Sequence, residues 1–144
     1  DKTRIVLPSP NGATLSLATG KTPTLIGCFR NFEKVAKKAM EFGRNISIIP
    51  AGEKWEDGSL RPSLEDFTCA GAIISLLQGN LSPESKLAKS SFLAIQNDLN
   101  DLVKNCISGK ELIDKNFEND VNVALELNVS DCVPILKDNY YIKS

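Results

Sequence analysis

The 144-residue sequence contains no histidine. That absence excludes a Ser-His-Asp or Cys-His relay, a phosphohistidine intermediate and a His-ligated zinc within this chain. Chemistry here must rest on carboxylates, Lys, Arg, Ser, Thr, Asn, Cys, backbone amides or a hard cation. An excess of one charge is missing too, since 17 Lys and Arg face 18 Asp and Glu for a formal net charge of -1. Such a balance gives no electrostatic footprint for nucleic acid or for an anionic membrane, so neither is expected as a partner. No apolar run approaches the ~18 residues of a membrane span, and no charged-then-apolar leader is read at the start. A cytoplasmic protein is the expectation. Cysteine is sparse and never spaced as CxxC: Cys28, Cys69, Cys106 and Cys132 stand far apart. That spacing argues against a zinc ribbon or a thioredoxin-type motif. Cys28, Cys69 and Cys106 have apolar neighbours and read as small buried hydrophobes of a reducing compartment, with a disulfide pair left open.

What is present is a 42% hydrophobic, 24% charged chain, enough for one domain with a sizeable core. Arg4 to Leu7 reads as a strand, and Pro8 to Gly12 as a cluster of turn residues. A helix over Ala13 to Thr19 stops at Gly20. Thr24 to Cys28 is a second strand, and Asn31 N-caps a helix that ends at Gly43. Asn45 to Pro50 is a third strand. Strand, helix, strand, helix, strand with short turns predicts βαβ units and a mainly parallel or mixed sheet. Ala51 to Pro62 reads as a long irregular polar loop. Ser63-Leu-Glu-Asp66 then has the form of a capping box before an almost wholly apolar helix, Phe67 to Leu77, in which Gly71 permits close packing. Ser82-Pro83 opens a helix expected to run to about Asn105. Ser108-Gly-Lys-Glu111 reads as another capping box, Asp120 to Leu127 as helical, and Cys132 to Leu136 as a last edge strand. The whole of 1–144 reads as a single α/β domain.

In open α/β sheets ligands lie at the carboxyl ends of the strands. Three polar turns leave those ends, at Pro8–Thr14, Gly27–Asn31 and Ala51–Asp66, and parallel neighbours would bring them together. The first offers free amides at a helix start, which suit phosphate as readily as they make an ordinary tight turn. Arg30 in the second supplies a fork matched to phosphate, carboxylate or sulfonate, or a solvated side chain beside a capping Asn31. The third gathers Glu53, Glu56, Asp57, Arg61, Glu65 and Asp66 around Trp55. Carboxylates without histidine suit Mg²⁺, while Glu65 and Asp66 in a first helical turn are also favoured by the helix dipole alone.

Leu7-Pro-Ser-Pro-Asn-Gly-Ala-Thr14, Gly27-Cys-Phe-Arg-Asn31, Ile49-Pro-Ala-Gly-Glu-Lys-Trp55, Asp57 to Asp66 and Ala70-Gly71 together resemble the 2-phosphosulfolactate phosphatase (ComB-like) family. Ser108 to Leu112 and Asp120-Val121 look like that family's carboxyl-terminal segment, so the chain reads as the carboxyl-terminal part of a longer protein. The resemblance implies a three-layer α/β/α sandwich. It also implies a Mg²⁺-dependent phosphatase that hydrolyses 2-phosphosulfolactate, a small anionic substrate, in a step toward coenzyme M; a homo-oligomer is compatible with it. Carried over residue by residue, Asn11, Gly12, Arg30 and Asn31 would bind the substrate. Glu65 and Asp66, with Glu53, would hold Mg²⁺. Arg30, Asp66 and Arg61 would serve catalysis, and Gly52 and Gly71 match flanking glycines. The alternatives are a noncatalytic anion-binding domain, an inactive fragment of the fold, or the same fold acting on another phosphorylated hydroxy acid.

Overall fold

The structure, a computed structural model, describes residues 5–6 and 10–143. Helix α3 (Leu64–Leu76) is its centre, with Thr68 to Ile74 buried without a break. A helix apolar on all sides needs neighbours on several sides. It finds them in α2 (Phe32–Phe42) and α4 (Pro83–Ile95). Gly71 sets the α3–α4 approach: a Cβ there would overlap the Ala88 carbonyl oxygen. Phe32 meets Phe92 edge to face at 6.0 Å and 67°, closing the other side of the core. Leu99, Val103, Val121, Leu125 and Val133 complete the cluster.

Several helices end or are capped where expected, although Pro10 to Gly12, expected as turn residues, are already helical, and Pro8 and Ser9 of that turn lie outside the described residues. Helix α1 (Pro10–Ala18) ends before Gly20, which takes φ +61, and α2 ends before Gly43. Ser82 caps α4 by accepting the Ser85 amide at 3.2 Å, with Pro83 in the first turn. The expected single helix to Asn105 is instead α4 followed by α5 (Leu99–Asn105). The polar run Gln96-Asn97-Asp98 offers side-chain competitors for backbone bonds, and the redirected chain buries Leu99 and Val103. Helices α6 (Ile107–Asp114) and α7 (Glu118–Ala124) follow. No helix among the described residues is long and apolar enough to cross a membrane.

The fold mixes helices with short strands, and both strand pairs among the described residues are antiparallel. Strands β1 (Glu53–Lys54) and β2 (Leu60–Arg61) pair Glu53 with Arg61, inside the stretch expected to be irregular. Trp55 to Ser59 closes this hairpin, and Asp57 accepts the Ser59 amide and hydroxyl at 2.9 and 2.6 Å. Those bonds hold the Asp57 carboxyl below its ordinary value. Strands β3 (Pro134–Lys137) and β4 (Tyr140–Lys143) form a second hairpin. Its two-residue turn, Asp138-Asn139, takes φ +48 and +65, as a type I′ turn requires.

The expected parallel sheet is not formed among the described residues. Thr24 to Cys28 makes one bridge, Leu25 to Ile135, supported by Ile26 N–H to Pro134 O at 3.1 Å and Leu136 N–H to Thr24 O at 2.9 Å. Expected as an edge strand, β3 therefore has a neighbour on each side, and Pro134 is tolerated as its first residue. Asn45 to Pro50 stays outside any strand, with Ile46 and Ile48 half-buried and Ile49 exposed. Parallel strands depend on cover from both faces, and this segment has cover on one. Of the strand expected over Arg4–Leu7, Arg4 and Leu7 lie outside the described residues. Ile5 and Val6 are exposed and belong to no strand. The thiols also differ from expectation: Cys69 alone is buried, Cys28 is exposed, Cys106 is intermediate, and all four are free.

Candidate active site

The first and third polar turns do meet. Asn11, in the first turn of α1, donates from Nδ2 to the Gly52 carbonyl at 3.2 Å and to Glu53 Oε2 at 2.9 Å. The Gly52 amide in turn donates to Asp66 Oδ2 at 2.7 Å. Gly52 can do this because it adopts φ +67, and a Cβ would crowd Leu60 and the Arg61 carbonyl. One backbone residue thus joins α1, the β1–β2 hairpin and the N-terminus of α3. A cavity of about 200 Å³ opens beside it, lined in part by Asn11, Thr14, Glu53 and Lys54. Gly12 lies in the same first turn of α1, its carbonyl accepting the Ser16 hydroxyl at 2.6 Å.

Asp66 is tied to this cleft through the Gly52 amide rather than lining it. Burial raises its pKa, the Gly52 N–H opposes that, and the nearby Glu65 and Glu53 charges push it further up. A half-buried carboxylate crowded by two others favours either a proton or a cation. Among the described residues no group of three or more His, Cys, Asp and Glu side chains forms a cage for a metal. Mg²⁺ does not need one, because one or two carboxylates suffice when water and substrate oxygens fill the remaining positions. Asp66 and Glu53, on either side of Gly52, fit that demand.

Glu65 and Arg61 face elsewhere. Glu65 Oε2 accepts the Cys106 thiol at 3.6 Å, and Cys106 Sγ accepts the Gly109 amide at 3.4 Å. Arg61 is 9% exposed and forks onto Glu111, Nη1 to Oε1 at 3.1 Å and Nη2 to Oε2 at 3.3 Å. Its guanidinium stands 5.5 Å over the Trp55 ring. Neither expected capping box forms. Ser63 Oγ is buried without a partner, and the carboxylates that could have bonded the Ser63 amide are elsewhere, Asp66 on Gly52 and Glu65 on Cys106. Helix α6 begins two residues early, capped by the Cys106 thiol instead of Ser108, and Glu111 is drawn to Arg61.

The second polar turn is occupied with architecture. Arg30 Nη1 pairs with the Glu126 carboxylate and donates to the Val123 carbonyl at 2.6 Å, tying the turn to α7. Asn31 is buried and does not cap α2 with its side chain. Its Oδ1 accepts the Cys28 amide at 2.8 Å, and its Nδ2 donates to the Cys132 carbonyl at 2.9 Å. Nearby, burial pushes the Cys69 thiol up to about 12, which removes it as a nucleophile at neutral pH. Sequence reasoning did not find the Asn11–Glu53 bond or the Trp55–Arg61–Glu111 stack, since both join residues more than 40 apart or across a hairpin. Lys137-Asp-Asn-Tyr140, by contrast, carried a hairpin signal in plain view.

A family model described as 2-phosphosulpholactate phosphatase matches residues 1–139. The 2-phosphosulfolactate phosphatase of Methanothermobacter thermautotrophicus is 30% identical over 136 residues, 93% of this chain and 56% of the relative. A probable 2-phosphosulfolactate phosphatase of Carboxydothermus hydrogenoformans is 35% identical over 133 residues, 90% of this chain and 54% of the relative. That of Thermotoga maritima, also named probable, is 28% identical over 139 residues, 96% and 59% respectively. The chain thus spans about half the length of the curated relatives it matches. The family match spans the Asn11 turn, Gly52, Asp66 and the start of the last hairpin, and the chain belongs to the 2-phosphosulpholactate phosphatase family.

Proposed function

We propose that this chain carries the hydrolytic site of a Mg²⁺-dependent phosphatase acting on 2-phosphosulfolactate or a related phosphorylated hydroxy acid, yielding sulfolactate and phosphate. The observation that carries the reading is the Asn11–Gly52–Asp66 chain of bonds with Glu53 beside it. The names of the relatives support the substrate class. Asp66 and Glu53 would hold the ion, which supplies polarisation of a phosphoryl oxygen and a more acidic bound water. Asn11 orients Glu53. The first-turn amides of α1, at Asn11 and Gly12, present the positive end of a helix to the substrate's phosphate. Lys54, on the cavity wall, is placed to neutralise charge on the phosphate or on a second acidic group of the substrate. Phosphoryl transfer asks mainly for positioning and charge stabilisation, which suits a site without histidine. Arg30 and Asn31 serve by holding the Gly27–Asn31 turn to α7 and to Cys132.

In the same reading, the extended segments at 24–28 and 45–50 belong to the central sheet of a three-layer α/β/α sandwich. Relatives nearly twice as long have chain enough to flank them.

Phosphate release from 2-phosphosulfolactate measured with and without EDTA tests the function. Release should require Mg²⁺. Asp66→Asn should lower it by more than the roughly 10–100-fold that loss of an outer-shell partner costs. Activity that survives EDTA and Asp66→Asn overturns the metal assignment.

A further inference from the structure

The first turns of α3 and α6 open onto a second cavity, of about 260 Å³, that the proposed reaction does not use. Arg61, Ser63, Glu65, Cys106 and Ser108 line it. Three features of its lining, and a fourth beside Arg61, point to a ligand. The leading amides of both helices have no intrahelical acceptor, and the positive ends of two dipoles face one space. Arg61 brings a buried guanidinium, a rigid fork for oxygen pairs. Ser63, 6% exposed, keeps a hydroxyl with no hydrogen-bond partner, a group that costs stability while it stays unmatched. Finally Glu111, whose side chain is half exposed, already lays a carboxylate across the Arg61 fork. A planar pair of oxygens in that position shows what the fork accepts.

Glu65 adds selectivity. Its carboxylate on the cavity wall can only accept hydrogen bonds when ionised. A fully deprotonated anion would set bare oxygen against it. An anion that keeps one hydroxyl would donate to it. We propose that this cavity binds a protonated oxyanion, with inorganic phosphate as the smallest of the class. Arg61, the Ser63 hydroxyl and the leading amides of α3 and α6 donate to it, and Glu65 accepts its hydroxyl. Glu111 swings toward solvent as the anion takes the fork. Binding requires neither metal nor turnover, so it stands or falls apart from the phosphatase reading.

Trp55 is the sequence's one tryptophan and lies over Arg61, so its fluorescence reports on the fork. Titrations of the protein with sodium phosphate and sodium sulfate, at matched ionic strength and in EDTA without substrate, test the proposal. Phosphate should give a saturable change, and sulfate should bind at least ~10-fold more weakly. Ser63→Ala removes a hydroxyl that bonds nothing in the unliganded protein, so it should fold normally and weaken phosphate by about 10-fold. Glu111→Gln should tighten phosphate several-fold by freeing the fork, and Glu65→Gln should narrow the gap between the two anions. No saturable response overturns the proposal. Equal affinity for phosphate and sulfate, or a folded Ser63→Ala variant with unchanged phosphate affinity, overturns it as well.

Discussion

The body and the first turn of α3 are neighbours in sequence and opposites in design. From Thr68 to Ile74 every residue is buried, and even the Thr68 hydroxyl is spent locally on the Leu64 carbonyl at 2.7 Å. From Ser63 to Asp66 the polar groups turn away from their own helix, toward Gly52 on one side and Cys106 on the other. The body maximises contact, whereas the first turn gives up its own capping, with Glu65 on a cavity wall and Asp66 bonded to Gly52. A rigid buried rod is what holds such a turn in place without local support.

The largest test of the contrast is steric. Gly71→Ala drives a methyl into the Ala88 carbonyl, and the two helices must separate. We expect a loss of about 1–3 kcal/mol, read from urea midpoints. Gly43→Ala is the matched control, since no atom lies within 4 Å of its added methyl and its backbone is extended. It should be neutral or gain up to about 1 kcal/mol. Equal costs at the two positions would mean that the helix contact is not tight.

Next comes Arg61→Lys, which keeps the charge but loses the paired bonds to Glu111 and the guanidinium's place over the Trp55 ring. A loss of about 1–2 kcal/mol with a shifted Trp55 emission is expected. An unchanged emission would show that the stack does not persist in solution.

Asp66 gives the sharpest sign. Its folded pKa lies above its ordinary 3.8, so between those two values the folded state holds a proton that the unfolded chain has lost. Stability therefore falls as pH rises through that window, and the full cost stays at every higher pH. Asp66→Asn removes that titration while leaving an oxygen for the Gly52 amide. At neutral pH without metal the variant should be more stable than wild type, though less active. Urea midpoints across acid to neutral pH check this. A variant less stable at neutral pH would place the balance on the side of the Gly52 bond.

The smallest effect belongs to Arg30→Gln, because its partner Glu126 is half exposed. An ion pair of that kind is worth roughly 0.2–1 kcal/mol, measured as a shift in thermal or urea midpoint. A 10²-fold fall in phosphate release with no change in stability would return Arg30 to the chemistry.

Helices were legible in the sequence where periodicity and caps agreed. Ser82-Pro83, the Gly20 and Gly43 stops and the apolar run around Gly71 all mark real boundaries or contacts. Strands were mostly not legible: of the runs read as strands only Cys132 to Leu136 overlaps one, β3, while β1, β2 and β4 lie where none was expected. Backbone partners come from elsewhere in the chain, as β3 shows by bonding to both Thr24 and β4. The two capping boxes failed for different reasons. Asp66, at the third position of α3, serves the distant Gly52 amide instead of its own cap, while α6 starts two residues before Ser108 and leaves Glu111 to Arg61. Of the candidate site, Asn11, Gly52, Glu53 and Asp66 were visible as types. Only the folded backbone separates Asp66 from Glu65 and sends Arg30 to α7.

The Tyr141 hydroxyl donates to Ser16 Oγ at 2.6 Å, linking β4 to the helix that carries Asn11. Tyr141 sits opposite Leu136 in the register that the Asp138-Asn139 turn fixes. A one-residue slip would turn its ring to the far face of the hairpin. The alignment of a turn more than 120 residues away in the chain thus acts as a set-screw on the position of Asn11.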